Sequence, residues 1–284
     1  MGPPQTVPSH AISVDVEDWY QLRMGGDTPT SDRFEHSVMK VLDALAAREV
    51  KATFFVLGLA AEGAPHVVRR IAEAGHEVQS HGYAHRLNWD LGEDAFRQDV
   101  ARAKKLLEDM LGHEVYAYRA PLFTVDERNL WVLDVLAETG YRYDSSIFPL
   151  KTSRYGIDGY APEPRVITTS RGHRLVEAPV ACFEWLGRRW PVGGGGYFRL
   201  WPYGVIRRAW RQMEALGRPG IVYFHPYEYD PGEVSAYGRQ IPLRVRLHQG
   251  LGRKGFARKV DRLLGEFRFG AMGDVLADLL KEVV

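Results

Sequence analysis

The chain is poor in cysteine, in net charge and in long apolar runs, and each shortage excludes something. Cys182 is the only cysteine among 284 residues, so no intrachain disulfide can form. A reducing compartment fits that count. Lys and Arg number 37 against 36 Asp and Glu, a net charge of +1, so no overall field selects a nucleic acid or an acidic partner. No stretch approaches the roughly 18 apolar residues of a membrane-spanning helix, so no transmembrane segment is expected. The opening MGPPQTVPSH lacks the basic and apolar regions of a secretory signal. The expected location is therefore the cytoplasm. There is no internal repeat, and Gly193–Gly196 is the only low-complexity spot. Without a following Gly-Lys-Ser/Thr it reads as a flexible turn and not as a phosphate cradle.

What is present is an ordinary globular composition, 45% apolar and 26% charged, long enough to bury a sizeable core. Strand-length apolar runs at Ala11–Val16, Ala52–Leu57, His76–Gln79, Val115–Tyr118 and Tyr141–Asp144 alternate with helix-period segments at Glu35–Arg48, Pro65–Ala74, Glu93–Leu111 and Asp126–Thr139. Gly75, Gly112 and Gly140 stand where helices stop. This β-α rhythm predicts an α/β fold with a mostly parallel sheet or barrel. Residues 146–173 read as loops. Beyond them come a strand at Leu175–Val180, a helix at Tyr203–Leu216, a strand at Ile221–Phe224, and terminal helices at Phe256–Phe267 and Met272–Val284.

Four polar signatures end four of these apolar runs. Asp15, Glu17 and Asp18 close the first strand. Asp15 and Glu17 share a face by the period of two, and Asp18 joins them if the strand end bends. Three carboxylates there repel unless a cation or an arginine is close. His81 and His85, spaced i, i+4 directly after a strand, bring two imidazoles to one side of a turn, within reach of one ion. Arg119, in Tyr-Arg-Ala-Pro, can pin a carboxylate through its bidentate fork. His225, in Tyr-Phe-His-Pro, ends a further strand and titrates in the range a proton donor needs. Parallel strands that carry such groups at their C-terminal ends gather them on one rim.

In order and content these motifs resemble the polysaccharide deacetylase family, the NodB-homology domain of carbohydrate esterase family 4. The matching residues are Asp15–Asp18, His81–His85, Arg119–Pro121 and Tyr223–His225, with Lys51-Ala52-Thr53-Phe54-Phe55-Val56 similar to the family's second strand. The resemblance covers roughly residues 10–230. It implies a distorted, incomplete (β/α) barrel, resembling a TIM barrel, with one divalent ion, most often zinc, held by Asp-His-His. The first motif departs from the family's adjacent aspartates, and three registers stay open. Glu17 is the base with Asp18 the ligand, or Asp15 the base with Glu17 the ligand, or Asp15 the base with Asp18 the ligand. The last is preferred, which makes Asp15, Glu17, Arg119 and His225 the catalytic group and Asp18, His81 and His85 the metal ligands. Gly82 is a second departure, where the family often has Ser or Thr. Asp-Val-Glu-Asp-Trp, Leu175–Pro179 and Gly195–Arg199 also resemble the narrower branch found with exopolysaccharide and exosortase (PEP-CTERM) systems. That implies a single domain over residues 1–284, with the barrel at 10–230 and an extension over about 190–284.

The resemblance further implies hydrolysis of N-acetyl groups from an amino-sugar polysaccharide or a lipid-linked precursor. Metal-bound water attacks the carbonyl, a base oriented by Arg119 takes its proton, a backbone N–H near Leu122 meets the oxyanion, and His225 protonates the leaving amine. Sugars stack on aromatic faces, so Trp19, Tyr20, Phe123 and Tyr197 are the first candidates to bind substrate, with Phe198 and Trp201 behind them. Residues 239–268 hold nine Lys or Arg against two Asp or Glu, which suits an anionic glycan, a pyrophosphate-linked sugar or the inner membrane surface. Two other readings compete: hydrolysis of a cyclic ureide or other amide on the same scaffold, and an inactive glycan-binding module.

Overall fold

The computed structural model describes residues 9–24, 30–237 and 242–283. Residues 1–8 of the stretch read for a signal, and Arg239 of the basic run, lie outside them. Strands β1 (His10–Val16), β2 (Thr53–Val56), β3 (Glu77–Ser80), β4 (Ala117–Tyr118), β5 (Tyr143–Asp144), β6 (Arg165–Thr168), β7 (Arg174–Glu177), β8 (Cys182–Trp185), β9 (Arg188–Pro191), β10 (Ile221–Phe224) and β11 (Phe269–Gly270) follow in chain order. Nine form one sheet in the order β10-β1-β2-β3-β4-β5-β7-β6, with β11 beside the start of β1. Every pairing along that path is parallel except β6 with β7. The sheet curls without closing, an incomplete (β/α) barrel.

The central strands are buried along their whole length, and β1 and β2 expose nothing. Parallel strands covered on both faces call for mostly apolar runs; Thr53–Val56 supplies one, and Ala11–Val16 supplies another in which the buried Ser13 and Asp15 face Arg119. The helix Asp32–Ala46 sends Phe34, Val38, Val41, Leu42 and Leu45 into the core. Spacings of three and four place them on one stripe. The helix Glu93–Leu111 ends where Gly112 takes a left-handed φ of 72°, a conformation that glycine adopts freely and residues with a Cβ adopt at a cost.

Three expectations need correction. Residues 146–173 are not all loop, because Arg165–Thr168 pairs antiparallel with β7. Only four residues of that strand carry a sheet-like pattern, amid Pro and Gly. The segment Met272–Val284 is not one helix but two short pieces, Met272–Val275 and Ala277–Lys281. The Gly193–Gly196 run is not a flexible turn. A Cβ on Gly193 would stand 2.5 Å from Ala181 N and from Ile221 O, and one on Gly195 would stand 1.9 Å from Glu228 Oε2. These glycines are required by close packing. Gly193 O accepts from Tyr223 N–H at 2.7 Å, and Ala181 N–H donates to Ile221 O at 2.8 Å. The segment thereby covers the outer edge of β10.

Candidate metal centre

Because the strands are parallel, the C-terminal ends of β1, β3, β4 and β10 lie on one rim, and each delivers a polar side chain just past its last residue. Arg119 is fully buried, with its Nη1 2.8 Å from Asp15 Oδ1 and 2.8 Å from Ser13 Oγ. Its Nη2 donates to Ser145 Oγ at 2.9 Å, and its guanidinium carbon stands 4.3 Å over the Phe55 ring. The arginine is thus fastened from three sides and holds one carboxylate.

Glu17, two residues along the same face, meets the histidines instead. Its Oε2 is 2.8 Å from His85 Nε2 and 3.6 Å from His81 Nε2. One ligand atom from each of Glu17, His81 and His85 lies within 4.8 Å of the others. Buried Glu17 Oε2 has no partner in hydrogen-bonding geometry despite that proximity. His81 Nδ1 donates to the Arg119 carbonyl at 2.8 Å, and since a carbonyl can only accept, the lone pair sits on Nε2, facing Glu17. That arrangement orients an imidazole for a metal. Two imidazole nitrogens and one carboxylate oxygen, with a buried oxygen short of a partner, fit a divalent ion of the zinc type. Burial alone would raise the Glu17 pKa. The charges of His85 and His225, with contacts to His81 and His85, hold it well below the carboxylate range.

Asp18 is elsewhere. Its carboxylate accepts from Tyr20 N–H at 3.0 Å, from Ser31 Oγ at 3.1 Å and from Ser31 N–H, just before the helix Asp32–Ala46. The preferred register, with Asp18 as ligand, does not match this geometry. The spaced register does, with Asp15 on the arginine and Glu17 between the histidines. Alternation along an extended strand puts Asp15 and Glu17 on one face and turns Asp18 away.

The two histidines flank a loop that is held from outside. Gly82 has φ +77°, which allows the chain to reverse, and Asp99 Oδ2 on the helix Glu93–Leu111 accepts Tyr83 N–H at 2.8 Å. A Cβ on Gly82 would stand 3.1 Å from that same oxygen, which gives a steric reason for glycine there. His85 itself has φ +54°, and Leu122 and Phe123 after Arg119 have +52° and +53°. Of the five described non-glycine residues with positive φ, these three border the site. Backbone strain of about 1–3 kcal/mol per residue persists where surroundings enforce it, commonly at functional sites.

His225 faces the cluster across Glu17, with Nε2 3.4 Å from Glu17 Oε1. Its ring stacks on Tyr227 at 4.7 Å, and its Nδ1 lies 3.1 Å from Glu228 Oε2. Burial works against its charged form, yet Glu17 and Glu228 push its pKa up to about 9. Glu228 is in turn 2.9 Å from Arg199 Nε, and its Oε2 accepts the His225 N–H at 3.1 Å. Sequence reasoning missed Glu228. The signal was an acidic residue three positions after His225, the spacing of a capping box.

A cavity of about 200 Å³ opens over these groups, lined among others by Asp15, Glu17, His81, His85, Leu122 and His225. A larger cleft of about 620 Å³ lies among Met39, Asp43, Lys51, Arg70 and His76, at the opposite ends of β2 and β3, and lacks a convergent ligand set. Of the aromatic candidates, Phe123 lines the cavity and Tyr197 the adjoining groove. Trp19 is buried against Tyr227 and Tyr237, and Tyr20 stacks on Tyr237 at 4.4 Å. Phe198 belongs to the core, and Trp201 packs with Trp185 and Trp190. Neither Trp19 nor Tyr20 lines the cavity, because the chain turns into a helix at Trp19 and carries both rings toward Tyr237. Tyr155, Tyr223 and Tyr227 line it instead.

Residues 26–143 match the profile of the polysaccharide deacetylase family. Over that segment the chain is similar to polysaccharide deacetylases. Residues 145–277 match a second family, described as a domain of unknown function (DUF3473). That boundary falls well before the residue near 190 expected for an extension. A peptidoglycan-N-acetylglucosamine deacetylase of Bacillus cereus is 36% identical over 91 residues, 32% of this chain and 33% of that protein. A chitooligosaccharide deacetylase of Sinorhizobium fredii is 34% identical over 124 residues, 42% of this chain and 55% of that protein. The chain thus spans between a third and about half the length of these two relatives. In fold, it is similar to a candidate polysaccharide deacetylase from Mycobacterium smegmatis, with a TM-score of 0.62 at 22% identity over 100% of this chain and 92% of that one. Puue allantoinase gives 0.61 at 14% identity over 99% and 93%.

Proposed function

We propose that this protein is a metal-dependent N-deacetylase of an amino-sugar glycan. The observation that carries the reading is the meeting of Asp15 with Arg119, Glu17 with His81 and His85, and His225 with Glu228 around one cavity. Relatives named for deacetylating peptidoglycan N-acetylglucosamine and chitooligosaccharides support the substrate class. The matched deacetylase segment holds His81, His85 and Arg119, while His225 and Glu228 lie in the segment of unknown function and Asp15 and Glu17 precede both. We therefore read the described chain as one catalytic unit.

Glu17, His81 and His85 would hold the ion, which when bound supplies Lewis acidity toward the amide carbonyl and toward water. Asp15, aimed by Arg119, accepts the proton of the attacking water. Leu122 lines the cavity, and its backbone N–H would meet the oxyanion. His225, held by Glu228, gives its proton to the nitrogen as the C–N bond breaks, releasing acetate and a free amine. An exopolysaccharide or its lipid-linked precursor as the physiological substrate is the finer form of this reading, resting on the Asp-Val-Glu-Asp-Trp signature. The fold shared with an allantoinase makes hydrolysis of a cyclic ureide the second reading.

The test is metal content of the purified protein by elemental mass spectrometry, beside His81→Ala, with amine release from N-acetylchitooligosaccharides and ring opening of allantoin to allantoate. About one ion per chain, lost in the variant, together with amine release is the expected result. No metal after reconstitution would refute the mechanism, and turnover of allantoin alone would select the second reading.

A further inference from the structure

The rim of the catalytic cavity is apolar in a way that catalysis does not explain. The helix Leu243–Gly250 buries none of its residues. Leu243 and Leu247 on it, and Leu251 just after it, are exposed at 61%, 66% and 60%. Their spacing of four puts them on one face. Leu200, exposed at 56%, shares a groove with Leu251, and that groove shares Tyr155, Arg199, Tyr223 and His248 with the catalytic cavity. The leucine face is therefore continuous with the active-site mouth. It continues past Leu200 through Trp201, whose ring meets those of Trp185 and Trp190 in the β8–β9 hairpin, where Leu186 is exposed at 84%.

The charge along the segment that carries this helix has one sign. Residues 242–260 contain Arg244, Arg246, Arg253, Lys254, Arg258 and Lys259 and no Asp or Glu. Arg253 and Lys259 are committed to backbone carbonyls of Gln249, Arg199 and Trp201. Arg244, Lys254 and Arg258 are exposed, and so is Arg154 on the wall of the groove. Exposed aliphatic side chains in a contiguous patch mark a surface that meets another apolar phase. Glycans, by contrast, stack on aromatic rings and gain little from leucine.

We propose that the Leu200–Leu243–Leu247–Leu251 face, with Arg154, Arg244 and Lys254 around it, docks on an anionic lipid bilayer and turns the catalytic cavity toward the membrane surface. Leucines enter the acyl boundary while the basic residues meet anionic headgroups, the division of labour of an interfacial amphipathic element. The proposal does not depend on the hydrolytic reading, since it concerns binding alone.

The test is sedimentation of the full chain with phosphatidylcholine vesicles and with vesicles that also contain phosphatidylglycerol. Binding to the anionic vesicles only, weakened by salt, is expected. Leu247→Glu with Leu251→Glu should lower it by about tenfold or more. Arg244→Glu should lower it by about fivefold. Leu216→Glu, an exposed leucine on a different helix end, should not change it. Metal content and amine release from a soluble oligosaccharide, unchanged in all three variants, show that the site is intact. No vesicle binding, or equal binding by the leucine variants, overturns the proposal. Self-association that the leucine variants abolish, without vesicle binding, reassigns the face to a second copy of the chain. Loss of glycan retention in its place reassigns it to a substrate subsite.

Discussion

Replacing Arg119 with methionine tests the core of the site. The guanidinium is fully buried, its Nη1 is 2.8 Å from Asp15 Oδ1, and neither side chain reaches water to any useful extent. At an effective dielectric near 20, charges about 4 Å apart attract by about 4 kcal/mol. Removal of one partner from a buried pair costs about 3–5 kcal/mol, mostly because the other charge is left without compensation. Methionine keeps some of the packing on Phe55 but loses the bonds to Ser13, Ser145 and Asp15. With a urea m-value of about 3 kcal/mol per M, the midpoint should fall by roughly 1–1.7 M. The same substitution in an Asp15→Asn background should cost less, by about 2–3 kcal/mol, since no carboxylate is then stranded. Urea unfolding followed by tryptophan fluorescence gives the four midpoints, and amine release should be lost in every variant. If Arg119→Met shifts the midpoint by less than about 0.3 M, or the two substitutions add, the pair does not hold this site together and the aiming of Asp15 must be explained otherwise.

Other outcomes follow from the same geometry. Glu17→Gln should reduce bound zinc more than tenfold while Asp18→Asn leaves it unchanged, as read by titration with a chromophoric chelator; the reverse ranking would restore Asp18 as the ligand. His225→Ala should keep the metal and lose turnover, whereas loss of both would make His225 a ligand or a folding residue. Glu228→Gln should lower kcat by about tenfold to hundredfold with KM unchanged, because proton transfer from a held His225 is worth at most about 100- to 10,000-fold. Asp144 and Glu177 form a buried carboxyl pair; burial raises Asp144 to about 6, and burial with the Asp144 charge raises Glu177 well above the carboxylate range. A raised folded pKa favours folding below the unfolded value, and that contribution is lost as pH rises through the folded one. Thermal stability should therefore decline from about pH 5 toward 7, and Glu177→Gln should flatten the decline; a flat wild-type profile would count against the pair.

Most of the scaffold was legible in the sequence because parallel buried strands need uninterrupted apolar runs and their helices need a three-to-four period. Thr53–Val56, Glu93–Leu111 and Ile221–Phe224 largely follow those rules, Ala11–Val16 departs from them only at the site-facing Ser13 and Asp15, and glycine marks the helix stops. The hairpin Cys182–Pro191 and the strand Arg165–Thr168 were not legible, since half-exposed short strands among turns carry no such period.

At the site, the residue types and their order along the chain were determined by the sequence: carboxylates after the first strand, a histidine pair, an arginine, a late histidine. Their division of labour was decided by tertiary structure. Which carboxylate meets the histidines depends on strand alternation against a neighbour and on the capping groups that draw Asp18 away. Glu228 and Arg199, and the glycines that let them approach, act across the fold through contacts that no local pattern encodes. The apolar rim is likewise a property of the surface. Leu200 and Leu251 stand 51 positions apart and become neighbours only when the chain folds.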